Sequence, residues 1–123
     1  MRILLDAHIV LWALSAPDKL TKRQIEALQH PANQIWVSSI SVAELMIKCS
    51  IGKLRIDGDL IALIEKVGFE CLSYSERDAV WLKDLPFIHR DPFDRMLITQ
   101  CNANQCVLMT NDAIIRQYDC KIF

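Results

Sequence analysis

Four acidic residues, Asp6, Glu44, Asp94 and Asp112, stand at or just beyond points where an apolar, strand-like run gives way to a helix. Asp6 closes Ile3-Leu4-Leu5. Glu44 lies a helical turn beyond Ile35-Trp36-Val37. Asp112 follows Cys106-Val107-Leu108-Met109, and Asp94 falls in the first turn of a helix opened by Asp91-Pro92. In an open parallel sheet, ligands bind beyond the carboxyl ends of the strands, so acids distant in the chain can meet there. Two carboxylates 4 Å apart repel by roughly 4 kcal/mol at an effective dielectric of about 20. Such a cluster needs a cation, or some of its members must be protonated. Oxygen-only donors suit Mg²⁺ or Mn²⁺, and the absence of a Cys/His set argues against zinc. An ion held this way can activate water and stabilise an in-line phosphoryl transition state.

Each acid also has a purely structural explanation. Asp6 can cap the helix that follows it. Ser41-Val42-Ala43-Glu44 fits a capping box in which Glu44 reaches back to the Ser41 amide. Glu44 and Lys48 can pair at i,i+4 for about 0.3–0.5 kcal/mol. Asp91 is the expected N-cap before Pro92, and a carboxylate at Asp94 suits the helix dipole. Asn111 or Asp112 can cap a short helix. Individually these roles suffice; a shared sheet edge is what turns the balance. The segment His89-Arg90-Asp91-Pro92-Phe93-Asp94-Arg95 adds two acids bracketed by three cationic or potentially cationic side chains. Arg90 and Arg95 are candidates for phosphate contact, because guanidinium matches phosphate oxygens bidentately.

The elements that must position these residues are legible as an alternation. Strands are expected at Arg2–Leu5, Ile35–Ser38, Phe69–Leu72, Cys106–Met109 and, briefly, Cys120–Phe123. Helices are expected over Ala7–Leu14, Thr21–His30, Ser41–Ser50, Asp59–Val67, Ser75–Leu85, Asp91–Asn104 and Asp112–Gln117. Asp59 and Asp91 serve as N-caps; Gly52 and Gly68 stop their helices. Short apolar runs between helices imply a parallel sheet covered on both faces.

Length and composition set limits. The 123 residues suit one domain, 1–123, with a single core. Hydrophobic residues at 52% and charged residues at 24% exclude a disordered chain. The net charge of -1 gives no global attraction for nucleic acid, so a polyanion would need a local basic rim or a metal. No apolar run is long enough to cross a bilayer, and the first residues lack a signal-peptide pattern, so the expected location is the cytoplasm. Five cysteines without a C-x-x-C pair read as buried, reduced thiols.

The segments Leu4-Leu5-Asp6-Ala7-His8-Ile9-Val10-Leu11-Trp12, Ser38-Ser39-Ile40-Ser41-Val42-Ala43-Glu44, His89-Arg90-Asp91-Pro92-Phe93-Asp94-Arg95 and Thr110-Asn111-Asp112 occur in the order and spacing of PIN-domain ribonucleases. The chain most resembles the VapC-type toxins of bacterial toxin–antitoxin pairs, over essentially its whole length. That resemblance implies a three-layer α/β/α sandwich around a five-stranded parallel sheet. It implies a Mg²⁺- or Mn²⁺-dependent endoribonuclease with Asp6, Glu44, Asp94 and Asp112 at the metal. Asp91, Thr110 and Asn111 are candidates for outer support, and Arg90, Arg95, Lys48 and Lys53 for an RNA-contacting rim. It also implies a homodimer and a VapB-type antitoxin as partner. Ala7 is a departure, since many relatives carry threonine there. A haloacid dehalogenase-like phosphatase, another Mg²⁺-dependent phosphohydrolase, would need D-x-D where this chain has Asp6-Ala7-His8. The remaining alternative is a non-catalytic PIN-like module that binds RNA or protein.

Overall fold

Ile3, Leu4 and Leu5 form an uninterrupted apolar run, and such a run is stable as a strand only if both of its faces are covered. A computed structural model describes residues 1–123 and places this run as the central strand β1 (Arg2–Leu5), with all three side chains fully buried. Side chains alternate across a strand, so the run divides between two cores. Ile3 and Leu5 pack on one face against Ile9 and Val10 of α1 (Ala7–Ser15), Leu45 of α3 (Ser39–Ser50), and Leu60 and Ile64 of α4 (Leu60–Lys66). Leu4 packs on the other face with Leu97, Ile98 and Cys101 of α6 (Pro92–Ala103). The helix α2 (Lys22–Gln29) joins the first layer, opened by a Thr21–Gln24 capping box and contributing Ala27. Each such buried side chain contributes about 1.5–3 kcal/mol of transfer free energy.

All pairings in the sheet are parallel. β1 pairs with β2 (Gln34–Ser38) in the register Leu4↔Trp36, and with β4 (Val107–Met109) in the register Leu4↔Leu108. β3 (Glu70–Leu72) pairs with β2, giving the order β3-β2-β1-β4. The chain thus moves outward from β1 to β2 to β3, then returns to the opposite side of β1. The order reverses between β1 and β4, the kind of place where an open α/β sheet leaves a crevice at its carboxyl edge. No helix is long and apolar enough to cross a membrane.

The sheet has four strands rather than the expected five. Cys120–Phe123 does approach β4, but only Ile122 bridges to Leu108. The preceding turn, closed by the Cys120 amide on the Tyr118 carbonyl at 2.9 Å, leaves this single position in register with a strand of only three residues. Two expected helices are also shorter. Ser75–Leu85 divides into α5 (Glu76–Ala79) and a 3-10 turn, and Asp112–Gln117 reduces to one 3-10 turn at Ile115–Gln117. Of the cysteines, Cys101 and Cys106 are buried, whereas Cys71 is exposed because β3 is an edge strand.

Leu97 lies three residues beyond Asp94 on α6 and is fully buried under the sheet. Leu97→Ala is expected to lower the unfolding free energy by about 2–5 kcal/mol, against less than about 1 kcal/mol for Ile61→Ala at a partly exposed position. Urea denaturation of both variants checks this; equal losses would show that Leu97 does not anchor the helix.

Candidate active site

Three strand ends and one helix start bring the acids together. Asp6 ends β1 and caps α1, its Oδ1 accepting from the Ile9 amide at 2.9 Å. Its own amide donates to the Met109 carbonyl, which ties it to the end of β4. Glu44 comes from α3, directly after β2. Asp112 follows β4, and Asp94 sits in the first turn of α6. Asp6 and Glu44 are buried, while Asp94 and Asp112 have side chains 16% and 32% exposed.

The expected capping box at Ser41 does not form. Ser38, at the very end of β2, caps α3 through the Ile40 amide, so the helix starts two residues earlier than read from the sequence. Ser41 lies inside the helix and its hydroxyl donates to the Leu5 carbonyl at 3.4 Å. Glu44, one turn further in, is free of any cap and pairs with Lys48 at 2.9 Å. Asp91 does cap α6, its Oδ1 accepting from the Phe93 amide.

The ligand atoms fall into two overlapping sets, each within 4.8 Å: Glu44, Asp91 and Asp94, and His89, Asp94 and Asp112. Asp94 belongs to both. Asp6 belongs to neither, yet it lies close enough for its charge to raise the Asp94 pKa. His89 Nε2 stands 3.1 Å from Asp94 Oδ2 and 2.9 Å from Asp112 Oδ2. Carboxylate oxygens dominate both sets, and such hard donors fit Mg²⁺ or Mn²⁺. His89 was not singled out from the sequence. Its only signal was its place beside two acids, since a loop residue has no periodicity that fixes its direction.

Thr110, Asn111 and the basic residues separate into distinct roles. Thr110 is buried; its hydroxyl accepts from the Asp112 amide at 3.0 Å and also stabilises the Asp6 carboxylate. Asn111 turns away and accepts from Gln24 Nε2 at 2.9 Å. Arg90 and Lys53 are exposed. Arg95, read as a rim residue, points elsewhere. Its guanidinium donates to the Pro86 and Leu85 carbonyls and the Tyr118 hydroxyl, and packs over the Phe87 ring. Its fork geometry is satisfied by the neighbouring segment. A cleft of about 820 Å³ lies toward the far end of α6, beside Trp81, Asn102 and Asn104, and includes none of the four acids.

Charge crowding marks Asp94. Burial, the neighbouring Asp91, and more weakly Glu44 and Asp6, push its pKa to about 7, against the lowering effect of His89. Burial also raises Asp6. For Asp112, burial is outweighed by His89 and by the Ile114 amide, which hold its carboxyl below the usual range. Folded Asp94 therefore binds a proton between about pH 4 and 7, where the unfolded carboxylate is already ionised. Stability of the metal-free protein is expected to fall as pH rises through that window. Thermal melts of metal-free wild type and Asp94→Asn test this: the variant is expected to show a flatter profile, and identical profiles would contradict it.

The sequence pattern that defines the PIN domain matches residues 3–121. Comparison with curated proteins yields no match. Among solved structures, VapBC2 from Rickettsia felis, bound to a DNA fragment from its promoter, is similar at 17% identity and TM-score 0.75, covering 99% of this chain and 96% of that one. DNA-bound VapBC from Salmonella typhimurium gives 17% identity and TM-score 0.66 with the same coverage. FitAcB from Neisseria gonorrhoeae gives 17% and 0.63, covering 98% and 96%. At such identity the likeness establishes the fold alone. The sequence match reaches further, spanning both the four-stranded sheet and every acid gathered at its carboxyl edge, and by it the chain belongs to the PIN domain family.

Proposed function

We propose that this protein is a metal-dependent endoribonuclease and the toxin of a toxin–antitoxin pair. The observation that carries the reading is Asp94, shared between two ligand-sized clusters at the switch point of a PIN sheet. Asp6, Glu44, Asp94 and Asp112 form the catalytic and metal-holding set, with Asp91 added by its position. The metal is Mg²⁺ or Mn²⁺; when bound, it supplies charge neutralisation and an activated water. Glu44 orients the attacking water once Lys48 gives way to substrate. His89 holds Asp94 and Asp112 in position, and Thr110 supports Asp6. Arg90 and Lys53 contact RNA phosphates, with Lys48 at the inner edge of that rim. The solved relatives named VapBC support a VapB-type antitoxin as partner. A homodimer and a cytoplasmic location complete the proposal.

Purified protein is expected to cleave RNA with Mg²⁺ or Mn²⁺ and to stop on addition of EDTA. Asp94→Asn should reduce the rate by more than about 100-fold, beyond the 10–100-fold typical of groups that only orient a metal ligand. Equal cleavage by the two proteins would sink the assignment. Arg90→Ala, placed in the Asp94→Asn background, should weaken RNA binding and lower the salt slope by about 1. An unchanged slope in a filter-binding titration would remove Arg90 from the rim. Growth arrest on expression, relieved by the cognate antitoxin gene, tests the toxin reading in cells.

A further inference from the structure

We infer that Tyr118 is the positioning residue of this site, acting on Asp94 and Asp112 through His89; the inference rests on the reading of the acids as a metal-dependent nuclease centre. The Tyr118 ring is buried in the core beneath α6. Its hydroxyl oxygen accepts from the Ile88 amide at 2.9 Å, the His89 amide at 2.7 Å and Arg95 Nη1 at 3.2 Å. Arg95 extends the clamp to the Leu85 and Pro86 carbonyls.

The clamped segment has little else to hold it. Residues 86–90 form no helix or strand, and Phe87 and Ile88 are exposed at 74% and 39%. No apolar burial fixes this backbone, so hydrogen bonds must. They matter because of where His89 points. Its Nδ1 accepts from the Asp91 amide at 3.1 Å, which leaves the proton of the neutral ring on Nε2. Nε2 then donates to Asp112 Oδ2 at 2.9 Å, on the loop after β4, with Asp94 Oδ2 of α6 3.1 Å away. Tyr118 touches neither acid. It fixes the backbone of the residue that spans them, and such outer partners set the geometry of metal ligands.

Tyr118→Phe removes only the hydroxyl. Two readings distinguish positioning from general support: the His89 ring signals in long-range ¹⁵N–¹H NMR of the metal-free protein, and Mn²⁺ affinity by electron paramagnetic resonance. Wild type is expected to show one fixed tautomer with the proton on Nε2. The variant should average its tautomers and lose roughly 10–100-fold in Mn²⁺ affinity. The rate of RNA cleavage should fall in kcat with little change in KM. Ile115→Val, in the same core, should leave ring signals and affinity unchanged. A folded Tyr118→Phe with wild-type ring signals and affinity would overturn the inference, as would an equal loss in Ile115→Val. If Tyr118→Phe does not fold, amide exchange in wild type decides: slow exchange at His89, whose amide donates to the Tyr118 hydroxyl, supports the clamp, and fast exchange refutes it. Wild type that binds Mn²⁺ yet cleaves no RNA would end the nuclease reading, while the ring signals and the affinity ratio still judge Tyr118.

Discussion

The parallel pairing of β1 with both β2 and β4 is the constraint on which the rest depends. Because β1 is flanked on both edges and buried on both faces, its carboxyl end opens into a fixed crevice. The register of both ladders then dictates what meets there. Leu5 lies level with Val37 and with Met109, so the next residues on all three strands, Asp6, Ser38 and Thr110, emerge side by side. Moving Asp6 would break the hydrogen bond from its amide to the Met109 carbonyl. The site is an outcome of sheet register before it is an outcome of side-chain chemistry.

Electrostatics works against that placement. Packing brings several carboxylates into a partly dry crevice, and burial first, then repulsion from Asp91 and more weakly from Glu44 and Asp6, raises the pKa of Asp94. The chain offsets part of the cost internally: Lys48 pairs with Glu44, His89 lies between Asp94 and Asp112, and the α1 and α6 N-termini present amides to Asp6 and Asp91. None of these neutralises Asp94 fully. A carboxyl so strongly perturbed, beside other acids at a sheet edge, is the kind of group that functional sites gather.

Much of the fold was legible in the sequence because its signals are local. The apolar triplet at Ile3–Leu5, the Asp59 and Asp91 caps, and the helix stops at Gly52 and Gly68 each act within a few residues. The failures were also local competitions decided elsewhere. Ser38 captured the start of α3 from Ser41 because β2 delivers it to the helix entrance. The segment ending at Phe123 reads as a strand by composition, but the Tyr118–Cys120 turn allows it one bridge.

By itself, the sequence determined the strand–helix alternation, the parallel class of the sheet and the identity of the four acids, since periodicity, capping and residue type are written in neighbouring positions. Only the tertiary structure decided how those acids are shared. It freed Glu44 from capping, joined Asp91 to Asp94, turned Arg95 away, and placed His89 between two carboxylates. The reason is physical. Side-chain direction in an irregular segment such as 86–90 is fixed by hydrogen bonds to a tyrosine nearly thirty residues away, and no local pattern encodes a contact of that range.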